Sequence, residues 1–139
     1  MATIQKFEDL EIWQLARTLS KDIFNLSQTG KLAKDFSLKD QMNRSSGSIM
    51  DNIAEGYGRG SSLEFIQFLS ISTGSADELK SQLYRCLDKD DINKESFEDL
   101  YERTNAVYKK INGFIKYLNT TLVKDTKFKE RVGLKNNSK

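Results

Sequence analysis

Phe97, Leu100, Thr104, Val107, Ile111, Phe114 and Leu118 recur at strictly alternating spacings of three and four residues. At 100° per residue these positions share one face of a helix, and a strand, with its period of two, cannot present them together. A face that long has to be covered by other helices, so the spacing predicts a bundle. Proline is absent from the chain, which removes the strongest helix breaker.

Three further segments carry the same period. Ile12, Ala16, Leu19, Ile23 and Leu26 define a first helix from about Asp9 to Ser27. After a loop from Gln28 to Phe36, Ser37 reads as an N-cap with Asp40 three residues on, an approximate capping box. The second helix, running to about Tyr57, turns Leu38, Met42, Ile49 and Ile53 to one face and sets Gln41, Ser45, Ser48 and Asn52 beside them. Gly56, Gly58 and Gly60 read as the helix end and turn. Ser61 and Glu64 form the better capping box, opening a third helix with Phe65, Leu69, Ser72, Ala76, Leu79, Leu83 and Leu87 inward. That helix fades over Asp88 to Asn93. Short connections make successive helices antiparallel, so the expected fold is all-α, an up-down-up-down four-helix bundle.

Its 139 residues suit one domain. The division expected is a bundle over 1–122 and a basic, flexible tail over 123–139, where Lys124, Lys127, Lys129, Arg131, Lys135 and Lys139 outnumber Asp125 and Glu130. No apolar run approaches the roughly 20 residues of a membrane span. The N-terminus lacks a signal-peptide core, and a single cysteine cannot form an intrachain disulfide. Together these point to the cytoplasm and to no membrane partner.

The chain has no histidine. Ser-His-Asp and Cys-His nucleophiles are therefore excluded, as are the Glu-x-x-His pairs of di-metal bundles. Cys86 falls near the apolar face of the third helix and reads as a small core residue. Asp51 and Glu55 read as a solvated face, and the glycines do not match a phosphate-binding loop. No enzyme activity, cofactor or metal is expected.

Three surfaces remain. Trp13, Arg17, Ser20 and Phe24 form a second stripe on the first helix, either a widening of the core face or a subunit interface. Phe68 and Ile71 lie at the edge of the third helix's core face. Gly74, costing about 1 kcal/mol against alanine inside a helix, calls for the close approach of another helix. On the fourth helix, Asn105, Lys109, Asn112 and Lys116 form a polar stripe with Lys110 outside it. Repeated around an oligomer, such weak basic patches add up to a surface for nucleic-acid phosphates, to which Lys124, Lys127, Lys129 and Arg131 of the tail are further candidates. No aromatic-rich base-reading motif is evident.

FEDLEIW, QMNRSSGSIMDNIAEGYGRG and STGSADEL, in that order, resemble the bacterial four-helix bundle proteins named after intervening sequences in large-subunit ribosomal RNA genes. The likeness covers about Phe7 to Leu118 and is most specific at Asn52 to Arg59. It implies an up-down bundle, assembled in some members as a ring-shaped pentamer. A related branch serves diversity-generating retroelements as an accessory protein whose pentamer binds a reverse transcriptase and nucleic acid. The resemblance further implies that Asn52, Glu55 and Arg59 form a polar cluster at one end of the bundle. The first loop, KLAKDFSLKD, departs from the phenylalanine-proline pair and acidic residue of many members. The expected function is a non-enzymatic, homo-oligomeric accessory, pentameric by resemblance, that binds RNA or a nucleoprotein. The alternative is a protein-interaction scaffold without nucleic-acid contact.

Overall fold

The computed structural model describes the backbone of residues 3–131 and the side chains of residues 3–122. Among the described residues four α-helices make up the fold: α1 (Glu11–Ser27), α2 (Phe36–Gly58), α3 (Ser62–Asp88) and α4 (Lys94–Arg131). Each packs on two neighbours, α1 on α2 and α4, and α3 on α2 and α4, with α1 against α4 the lightest of these contacts. This is the expected up-down-up-down bundle.

The predicted faces form the core. Ile12, Ala16, Leu19 and Ile23 of α1, Leu38, Met42, Ile49 and Ile53 of α2, and Leu69, Ala76, Leu79 and Leu83 of α3 are buried, as are Leu100, Val107, Ile111 and Leu118 of α4. Leu26, Leu87, Phe97 and Phe114 are half-buried at its edges. The polar residues on these faces are satisfied in place. Ser72 Oγ donates across to the Ile49 carbonyl at 2.9 Å, and Thr104 Oγ1 donates to the Leu100 carbonyl at 2.7 Å.

The ends differ from expectation in detail. A short 3₁₀ turn, Phe7–Asp9, precedes α1, which begins at Glu11 rather than Asp9. The cap of α2 is Asp35, which accepts from the Leu38 N–H, and Ser37 lies within the first turn, accepting from Gln41 Nε2 at 3.1 Å. Asp35 takes the cap because Lys89, from the loop after α3, forms an ion pair with it, fixing its carboxylate at the helix start. The α1–α2 loop also buries Leu32 completely in a second 3₁₀ turn, Leu32–Lys34. Ser61 caps α3 as predicted, its Oγ accepting from the Glu64 N–H at 3.1 Å. Asn93, a cap the periodicity did not reveal, accepts from the Ser96 N–H at 2.8 Å and starts α4. That helix continues past Leu122 to Arg131.

The glycines of GYGRG have three different roles. Only Gly60 has positive φ, at 77°, and makes the turn. Gly58 is the last residue of α2, and Gly56 lies inside the helix, buried. A Cβ at Gly56 would stand 2.6 Å from Phe68 Cβ and 3.0 Å from Phe65 Cδ1, so this glycine exists for the close crossing of α2 and α3 rather than for a turn.

Candidate functional site

Two surfaces concentrate polar chemistry. The first is a cleft of about 300 Å³ between α2 and α3, where the segments quoted above from both helices meet. Gln41, Ser45 and Ser48 of the polar stripe on α2, with Arg44 beside them, form one wall. Ser48 Oγ and Ser75 Oγ share a hydrogen bond at 2.9 Å across it, and Asn52 Nδ2 donates to the Ser48 carbonyl and Oγ at 2.9 and 3.0 Å. At the other end Arg85 Nη1 donates to Gln41 Oε1 at 3.0 Å. Gln82 lies on the floor, 7% exposed, with its Oε1 buried and without a donor.

Asn52 is held against its own helix by Ser48, while Glu55 and Arg59 pair with each other one turn on, at 3.8 Å and half-exposed. The Arg59 guanidinium also lies 5.0 Å from the centre of the Phe68 ring. The polar residues expected as one cluster therefore occupy two neighbouring places.

The second surface is the α3–α4 flank. Tyr84 of α3 packs on Phe97 and Tyr101 of α4, with ring centroids 4.9 and 5.4 Å apart. Lys80 Nζ stands 4.3 Å from the Tyr108 ring centre and 6.0 Å from that of Tyr101, and donates to Asn105 Oδ1 at 3.3 Å. Asn105 starts the stripe that continues through exposed Lys109 and Lys116. Lys110 points elsewhere, to Glu11 Oε1 at 3.0 Å. This aromatic patch escapes a motif search because its rings come from two helices and no short segment holds them. Lys124, Lys127, Lys129 and Arg131 have side chains outside those described.

The interface candidates separate in the same way. Trp13 is half-buried against Phe7, 5.0 Å between ring centroids, under the Arg17 guanidinium at 5.7 Å. Phe24 is 53% and Ile71 51% exposed. Phe68 is engaged within the chain at Gly56 and Arg59. At Gly74 an added Cβ would meet nothing within 4 Å, so among the described residues no other helix makes the approach its presence suggested.

Cys86 is fully buried, with Sγ 3.3 Å from Met42 Sδ. Burial, then the nearby Asp91 and Asp35 carboxylates, pushes its thiol up to about 12, so it stays protonated and packs as a core residue. Among the described residues no group of three or more acidic or cysteine side chains is placed to hold a metal. No described helix is long and apolar enough to cross a membrane.

No curated protein matches this chain. A solved structure from Bacteroides thetaiotaomicron, described as a protein with unknown function from the S23 ribosomal protein family, is similar at a TM-score of 0.70 and 24% identity. The match covers 76% of this chain and 95% of that one, and shows the shared fold. A family model described as 23S rRNA-intervening sequence protein matches residues 8–113. That span takes in α1 to α3 and the first half of α4, and the chain belongs to the 23S rRNA-intervening sequence protein family.

Proposed function

We propose that this protein is a non-enzymatic, cytoplasmic accessory that binds RNA on its α3–α4 flank and acts as a homo-oligomer, a pentamer by its resemblance. The observation that carries the reading is the joining of Tyr84, Tyr101 and Tyr108 with Lys80 beside the Lys109–Lys116 stripe. The exposed Tyr84 ring, backed by half-buried Tyr101 and Tyr108, offers a stacking face to an unpaired base, and the exposed Lys109 and Lys116 meet phosphates. Neither depends on a particular base, which suits a backbone-led, salt-sensitive contact. Repeating the patch around an oligomer supplies the avidity one nearly neutral subunit lacks.

Fluorescence anisotropy with a structured RNA carrying a single-stranded loop tests this. Affinity should fall steeply between about 50 and 200 mM salt. Replacing Lys109 and Lys116 by glutamate should reduce both affinity and salt slope, and Tyr84→Ala should weaken binding about 5- to 100-fold, the range of one lost stacking contact. Absence of binding at the lowest salt would leave the protein-interaction scaffold, a reading that the exposed Phe24 and Ile71 favour.

A further inference from the structure

The outer crest of α4 is divided by charge. Glu95, Glu98 and Glu102 follow one another at three- and four-residue spacings, and Ala106, Lys109, Gly113 and Lys116 continue the same row, so all lie on one line of the helix. Every one of them is exposed. The row is acidic as far as Glu102 and basic beyond it, and no acidic residue stands between Glu102 and Asp125. The helix dipole favours acids in the first turn and bases in the last, but Lys109 and Lys116 lie in the middle of Lys94–Arg131, beyond its reach. Elsewhere four cations are matched by an acid four residues along their own helix: Arg44 by Asp40, Arg59 by Glu55, Lys94 by Glu98 and Arg103 by Asp99. None of the residues three or four places from Lys109 or Lys116 is acidic, and neither lysine has an ion-pair partner among the described residues. Between them stands Gly113, which weakens the helix that holds it. An added Cβ there would meet nothing within 4 Å, so packing among the described residues does not account for it. A glycine between two unmatched cations lets an anion come up to the backbone itself.

Resting on the RNA reading above, we propose that the RNA lies lengthwise on α4. Its phosphates follow the crest from Lys109 towards Arg131, with Gly113 the point of closest approach and Glu102 the end of the path. Positions 124, 127 and 131 continue the row at the same spacings along the helix. At 1.5 Å per residue Lys109 and Lys116 stand about 10 Å apart along the axis, and Arg131 about 22 Å further on. The charge is thus a line rather than a spot, and a linear polyanion matches a line. At the other end Glu95, Glu98 and Glu102 repel phosphate. The Tyr84 ring packs on Phe97 and Tyr101 beside that boundary, so the base it takes is the last on the path.

The slope of log affinity against log salt, measured by anisotropy on the full-length protein with the loop-bearing RNA, tests the path. Lys109→Gln and Lys116→Gln should each lower it by about 0.7 to 1, and Lys124→Gln, Lys127→Gln and Arg131→Gln together by about 2 to 3. Glu102→Lys, which lengthens the basic row, should steepen it. Lys21→Gln with Lys34→Gln removes as much charge from exposed positions on α1 and the loop after it, and should leave the slope unchanged. Gly113→Gln should raise the melting temperature and still lower affinity, an opposition that a purely structural glycine does not produce. A slope that the Lys21 and Lys34 pair lowers as much as the crest lysines do, or that the crest substitutions leave alone, would overturn the path while RNA binding stands. A polyglutamate competitor as effective as the RNA would assign the crest to an acidic protein instead. No binding by the unaltered protein at the lowest salt would remove the RNA reading and the path together.

Discussion

Gly56 and Asp91 are the two positions at which a single atom decides the outcome. At Gly56 the nearest neighbour of an added Cβ is Phe68 Cβ at 2.6 Å, which belongs to the backbone frame of α3 and cannot swing aside. Gly56→Ala should therefore destabilise the protein by about 1–3 kcal/mol despite alanine's better helix propensity. Urea unfolding checks this, and an unchanged midpoint would show that the helices can separate freely. Asp91 and Asp35 have inward carboxylate oxygens. A shared hydrogen bond, then burial, raises Asp91, while the same bond and then Lys89 lower Asp35. With Asp91 raised, the folded state binds the proton more tightly than the unfolded chain, so its contribution is present at low pH and is lost as pH rises through the folded value. Asp35 works the opposite way, its contribution being lost as pH falls through its lowered value. Asp91→Asn donates at every pH. Its melting temperature should thus gain on wild type as pH rises from about 4 towards neutrality, and a constant difference across that range would refute the shared proton.

Among the elements, the inward face of each helix and the approximate span of α1, α2 and α3 were legible because a 3.6-residue period leaves a long record in the chain, whereas α4 runs past the end of its apolar period to Arg131. Short features were not. Asp35 and Ser37 are both good caps two residues apart, and only Lys89, from a loop some fifty residues away, selects Asp35. Leu32 looked like part of a charged loop, yet it is fully buried, because one leucine has no period to betray it. The tyrosine and lysine patch on α3 and α4 was equally invisible, since its members become neighbours only after two helices pack. The reading of GYGRG as helix end and turn holds for Gly58 and Gly60, but Gly56 lies inside the helix, where its reason is the close crossing with α3. Asn93 shows what an unsuspected cap contributes. Asn93→Ala should cost about 1 kcal/mol and fray the first turn of α4, including Phe97, whose ring supports Tyr84. Helix-start amides that exchange no faster in the variant would count against this.

At the scale of the whole molecule, the four contacts between helices are unequal. α2 to α3 is a serine-lined crossing with direct hydrogen bonds, and the loops at one end are tied by Lys31 Nζ to the Lys89 carbonyl at 3.1 Å and by the Lys89–Asp35 pair. α1 meets α4 more lightly. Above the shared core, that seam is bridged by Arg103 to Asp22 at 2.6 Å and Lys110 to Glu11 at 3.0 Å. Partly exposed pairs of this kind contribute about 0–1 kcal/mol each and weaken with salt. Hydrogen exchange at about 0.5 M sodium chloride should therefore speed selectively in α1, and a uniform change across all helices would contradict that. The seam gives the bundle a spine and a fore-edge, like a book. α1 is its cover, and an opening along that edge is what the exchange experiment would detect.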